Sequence, residues 1–151
     1  VRCVLETVLG VGVSFAISAK RMNPEGAVIL LSGDGAFLSG GLGLEVAFQE
    51  DYPIVVVIDN NGGLDSIGKQ QERLFANGQK FATEFRDIPF HGLFQGMGGF
   101  GELVENRSQL PGAIKRAVAS GLPSCVNVKA KGVLSPIVAA TANKREKSSI
   151  E

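Results

Sequence analysis

The chain has 151 residues, with 15 basic and 15 acidic side chains in balance, which argues against nucleic acid or an anionic membrane as its main partner. No apolar run approaches the ~20 residues of a membrane span, and the amino terminus lacks the charged-then-apolar pattern of a secretory signal. Cys3 and Cys125 stand far apart without metal-ligand spacing, so both are expected as inert core thiols in a reducing, cytoplasmic compartment.

The predicted elements follow in chain order. Residues 11–22 keep small and apolar side chains in helical register and stop at Asn23-Pro24. Residues 27–31 are an unbroken apolar run, as expected of a strand covered on both faces, and the stretch ends in Gly33-Asp34-Gly35. A helix is predicted over 42–49. A second central strand at 53–58 runs into Asn60-Asn61. Residues 62–85 are polar and glycine-spaced, with weak helical character over 67–74; a long irregular segment beside a motif is expected to be functional or mobile.

A short helix at 90–95, a strand at 101–105, a helix at 110–120 behind Pro111 and a strand at 124–129 complete the order. The fold class this implies is α/β: a three-layer, doubly wound, mainly parallel sheet with helices on both faces. Residues 1–141 read as one domain and 142–151 as a charged, flexible tail. The start Val1-Arg2-Cys3, without Met, reads as a piece of something longer.

Two strand ends carry the chemistry. Strand, helix, strand in a right-handed parallel unit brings Asp34 and Asn61 to the same sheet edge, where open parallel sheets bind ligands. Mg²⁺ takes octahedral oxygen ligands at ~2.1 Å and shares them with substrate phosphates. Asp34 offers a carboxylate, Asn61 an amide oxygen and Gly63 a backbone carbonyl, a metal set that limits repulsion with a diphosphate. Gly33 and Gly35 are expected to turn tightly and bring N–H groups to the phosphates, with a helix from near Leu42 adding its positive end. A rival reading takes Gly10-x-Gly12 as a Rossmann dinucleotide loop with Asp34 as the ribose acid. Phe15 stands where that motif needs a small residue, and the rival leaves Asn60-Asn61 unexplained.

The paired motif, GDG followed by NN with 27 positions from Asp34 to Asn61, resembles the thiamine diphosphate enzyme signature. The likeness runs through VLGVGVSFAISAKRMNPEGAVILLSGD upstream and through PFHGLFQGMGGFGELVE and ASGLPSCVNV downstream, to about Ser135-Pro136. It is similar to the acetolactate synthase and 2-hydroxyacyl-CoA lyase branch. The resemblance implies thiamine diphosphate and Mg²⁺ as cofactors. It places Leu9, 25 positions before Asp34, under the thiazolium ring, and the Leu9-Gly10 backbone against the pyrimidine. Ala36 and Phe37 would meet the diphosphate by backbone, and Leu64 falls in the cofactor loop.

The same resemblance implies 2-oxo acid substrates, with acetolactate synthesis first and 2-hydroxyacyl-CoA lyase or oxalyl-CoA decarboxylase chemistry as alternatives. It also implies a pyrimidine-binding domain, in the same full-length chain or on a partner subunit, and a homodimer or higher oligomer. Nothing in this chain matches that domain, and the first strand of the diphosphate domain is read as missing, so half a site is expected; a stand-alone non-catalytic cofactor-binding domain stays open. Two positions depart from the pattern: Gly43 replaces a common Glu, with Glu45 retained, and Asp65 stands where many relatives carry Gly. No residue here is assigned as a general acid or base. His91 reads as a capping or surface residue, and Gln70, Gln71 and Glu72 as solvated.

Overall fold

The computed structural model describes the backbone of residues 2–5 and residues 9–133 in full; the predicted tail at 142–151 lies outside the described residues. Five strands, β1 (Arg2–Leu5), β2 (Val28–Gly33), β3 (Ile54–Asn60), β4 (Phe100–Val104) and β5 (Ser124–Lys129), form an all-parallel sheet in the order β1-β2-β3-β5-β4. The helices are α1 (Gly12–Met22), α2 (Asp34–Gly40), α3 (Glu45–Gln49), α4 (Asp65–Leu74), α5 (Phe90–Gly96) and α6 (Leu110–Ala119).

These elements divide into two compact units. The first holds the described residues up to Asn61 together with Asp87–Ala130, and so contains the whole sheet. The second holds Gly62–Arg86 and the residues from Lys131 on.

Within the first unit β3 is apolar on both sides because both sides are covered, whereas β2, expected to be covered on both faces, buries Val28 and Leu30 on one side and leaves Leu31 exposed on the other. Ile54, Val56 and Ile58 pack with Val13, Leu30, Phe37, Phe90 and Phe94 in one core. Val55 and Val57 face the other way and pack with Val126, Ala113 and Ala117. The chain order explains which helix covers which face. Steps from β1 to β2 to β3 move one way across the sheet, and α1 and α2 contribute to the first core. The step from β4 back to β5 reverses direction, and a right-handed crossover then puts its helix, α6, on the opposite face. The three-layer α/β reading holds.

Two local expectations are corrected. A strand precedes the glycine loop: β1 pairs in parallel with β2, Arg2 opposite Val28 to Leu5 opposite Leu31. Four residues led by an arginine are too short a run for period to declare a strand. The helix expected from Leu42 also starts earlier. α2 begins at Asp34 itself, a 3₁₀ turn spans Gly41–Leu44, and α3 follows. Gly33 is extended and serves as the N-cap, and the acid beside it suits the positive helix end. Gly40, Gly41 and Gly43 weaken the α-helix enough for the tighter turn to intervene.

The second unit folds on itself. Gly63 bridges antiparallel to Glu84, the Phe85 N–H donates to the Gly62 carbonyl at 2.8 Å and the Leu64 N–H to the Thr83 carbonyl at 2.8 Å. Phe75 and Phe81 meet edge to face.

Candidate functional site

β2 and β3 are adjacent and parallel, with Gly33 opposite Asp59. Asp34 and Asn61 therefore leave the carboxyl ends of neighbouring strands at one edge of the sheet, within one unit.

Asp34 is only 2% exposed. Its Oδ1 accepts the Gly35 N–H at 2.7 Å, a bond that holds the carboxylate against the first turn of α2. Gly33 makes no tight turn: its φ of −75° and ψ of 157° are open to any residue. What marks it is space, since a Cβ built there would meet nothing within 4 Å. The glycine leaves room beside the buried acid rather than bending the chain.

Asn60 and Asn61 divide the work of the second motif. Asn60 lies on the same sheet face as Ile58 and is 4% exposed. Its amide nitrogen donates to the Ile88 carbonyl and to Asn127 Oδ1, both at 3.1 Å, so both hydrogens are engaged in the fold. Asn61 Oδ1 is buried with no hydrogen-bond partner among the described residues. A buried acceptor left without a donor costs about 1–3 kcal/mol. An amide oxygen can accept a donor or bind a cation, and the pairing of a buried carboxylate with this oxygen fits a hard divalent ion. Among the described residues no group of three or more His, Cys, Asp or Glu side chains could hold a metal. An ion at this edge would thus draw further oxygens from backbone, water or its own anionic ligand.

The third metal candidate, Gly63, belongs to the second unit, as does Leu64. Gly63 must be glycine there because an added Cβ would run into the Thr83 carbonyl. Leu64 caps α4, half-buried. Asp65, where the family pattern favours Gly, is ion-paired with Lys69 at 2.8 Å.

Leu9 and Gly10 form the turn into α1. Leu9 is 55% exposed, and Gly10 needs its glycine for a φ of +83°. The turn packs on the far end of α2, where a Cβ at Gly10 would lie 3.4 Å from Ser39. Ala36 is half-buried. Phe37 is a core residue, 5.6 Å from Phe90 and 6.1 Å from Phe94 between ring centroids, so only its backbone is available at the α2 start. Gly43 and Glu45 are both exposed.

Two readings of polar residues change. His91 is half-buried, and its Nδ1 lies 3.1 Å from Asn127 Nδ2; nothing in local sequence pairs residues 36 positions apart. Gln71 is no free solvated side chain: its Oε1 accepts the Phe81 N–H at 2.8 Å and its Nε2 donates to the Phe81 carbonyl at 3.2 Å. Glu72 pairs with Lys80 at 2.8 Å, while Gln70 is exposed. Cys125 is buried and free, and burial pushes its thiol far above the usual range, as an inert core thiol requires.

Comparison with known proteins supplies the family. Residues 3–128 match the thiamine pyrophosphate enzyme, C-terminal TPP binding domain. An acetolactate synthase large subunit from Mycobacterium tuberculosis is 38% identical over 123 residues, covering 80% of this chain and 22% of the relative. A 2-hydroxyacyl-CoA lyase from Arabidopsis thaliana is 27% identical over 124 residues, again 80% of this chain and 22% of the relative. Among solved structures, a thiamine diphosphate-dependent 4-hydroxybenzoylformate decarboxylase from Rhodococcus jostii superposes with a TM-score of 0.74 at 30% identity, covering 84% of this chain and 24% of that one. The chain thus spans about a fifth to a quarter of the length of these relatives.

Proposed function

Since the chain belongs to the thiamine pyrophosphate enzymes, as their C-terminal TPP-binding domain, we propose that its β2 and β3 ends anchor the cofactor's diphosphate through Mg²⁺. Asp34 gives the carboxylate and Asn61 the amide oxygen. The open space at Gly33 admits the phosphates, the backbone of Gly35, Ala36 and Phe37 lines them, and Leu9 and Gly10 border the rest of the cofactor. The observation that carries this reading is the buried Asn61 oxygen, without a donor among the described residues, beside the strand that delivers the buried Asp34. The Rossmann reading of Gly10-x-Gly12 gives way to the family match.

The cofactor, when bound, supplies the electron sink for bonds beside a carbonyl. The chain's own residues hold it: Asp34 and Asn61 fix the charged end, and the core behind Phe37 keeps α2 in place. No proton-transfer residue is assigned to this chain. The proposed parent activity is acetolactate synthase-like, on 2-oxo acids, supported by the 38% identity to such a relative; cleavage of 2-hydroxyacyl-CoA is the second reading, supported by the lyase relatives. A pyrimidine-binding domain from the same parent chain or a partner subunit would complete the site, in a homodimer or larger assembly.

Calorimetric titration with thiamine diphosphate tests the anchor. Heat of binding is expected with Mg²⁺ and is expected to vanish with EDTA. Metal-independent binding would remove Mg²⁺ from the account, and turnover of pyruvate by this chain alone would refute the half-site reading.

A further inference from the structure

We propose that His91 is a positioning residue for the Asn60-Asn61 turn, acting through Asn127 and Asn60; this rests on the proposed role of Asn61. The hydrogen-bond chain fixes its own polarity. The Ile88 carbonyl can only accept, so the Asn60 atom 3.1 Å from it is the amide nitrogen. That nitrogen donates its second hydrogen, so the Asn127 atom it meets at 3.1 Å is the oxygen. The remaining Asn127 atom is then a nitrogen with hydrogens to give, and it faces His91 Nδ1 at 3.1 Å. Nδ1 must accept, which places the ring hydrogen on Nε2.

The location gives this chain its consequence. Asn127 is fully buried and Asn60 nearly so, so a mis-oriented amide finds no water to repair it, and each link depends on the next. Remove the acceptor at Nδ1 and Asn127 keeps a buried N–H without a partner. Turning the amide satisfies nothing, because it would set nitrogen against the nitrogen of Asn60. Asn60 is the last residue of β3, and its orientation sets the peptide that leads to Asn61. His91 therefore holds the turn from α5, through Asn127 of β5.

As the only histidine in the chain, His91 can be read directly. Nitrogen-15 NMR of the imidazole is expected to show Nδ1 unprotonated and Nε2 protonated in the unmodified chain; the opposite tautomer overturns the proposal without any variant. His91→Phe keeps a ring but removes the acceptor, and should shift the Asn60 and Asn61 side-chain amide resonances. His91→Asn returns an acceptor at the δ position and should restore them. Affinity for thiamine diphosphate with Mg²⁺ should fall roughly tenfold in His91→Phe, the equivalent of one lost buried hydrogen bond, and recover in His91→Asn. Unmoved Asn61 resonances in His91→Phe, or no recovery in His91→Asn, would overturn the relay. If the unmodified chain takes up no cofactor, the anchor reading fails instead, while the resonances still decide the relay.

Discussion

Asn60 and Asn61, adjacent in the chain, have opposite hydrogen-bonding fates: the Asn60 amide nitrogen is bound to Ile88 and Asn127, and the Asn61 oxygen is buried without a donor among the described residues. Extended backbone sends successive side chains to opposite faces, so one asparagine secures the strand end and the other is presented beyond it. The two should therefore respond differently to truncation. Asn60→Ala removes a buried donor from two acceptors and should cost about 1–3 kcal/mol. Asn61→Ala removes an unsatisfied oxygen and should leave stability unchanged or raise it in the absence of metal. Urea unfolding checks both; equal losses would contradict the division.

Gly40 supports the Leu9-Gly10 turn by having no side chain. A Cβ there would collide with the Gly10 backbone, so Gly40→Ala should push the turn off α2. Overpacking of this kind typically costs about 1–3 kcal/mol, against a smaller gain in helix propensity. A raised or unchanged urea midpoint would show that the turn is not held there.

Acid stability carries one assignable contribution. Arg116 donates to both Glu102 oxygens, at 3.0 and 2.5 Å, and this hydrogen bonding holds the Glu102 carboxyl below its ordinary value. A lowered folded-state value means stability that is present above the unfolded carboxylate range, ~4.3, and lost as pH falls through the lowered value. Because the pair is largely exposed, the effect is small. Thermal unfolding should show the unmodified chain more stable than Glu102→Gln at pH 7, with the gap closing on acidification below about pH 4; a gap that widens would reverse the sign.

Much of this was legible in the sequence, for physical reasons. The run at residues 53–58 is apolar on both faces and is buried on both; the run at 27–31 is apolar as well, but Leu31 on one of its faces is exposed. The polar ends at Asp34 and Asn61 followed from parallel connection. The start of α2 was not legible: Gly-Asp-Gly has the composition of a turn, and the helix is set by its packing, with Phe37 drawn into the core against Phe90 and Phe94. The link from His91 to Asn127 was hidden as well. It joins α5 to β5 through tertiary proximity, and a lone histidine at a helix start offers no local sign of a partner. The same holds for Gln71, whose bonds to Phe81 close a loop that composition alone reads as solvated.

The central claim is that Asp34 and Asn61 share one divalent ion with the diphosphate of the cofactor. Manganese(II) in place of Mg²⁺ makes this visible by electron paramagnetic resonance, because the sharp signal of free Mn²⁺ is lost on binding. Titrated with thiamine diphosphate present, the unmodified chain should take up a single ion, and Asp34→Ala and Asn61→Ala should each abolish that uptake while remaining folded. Undiminished uptake in both variants would contradict the account.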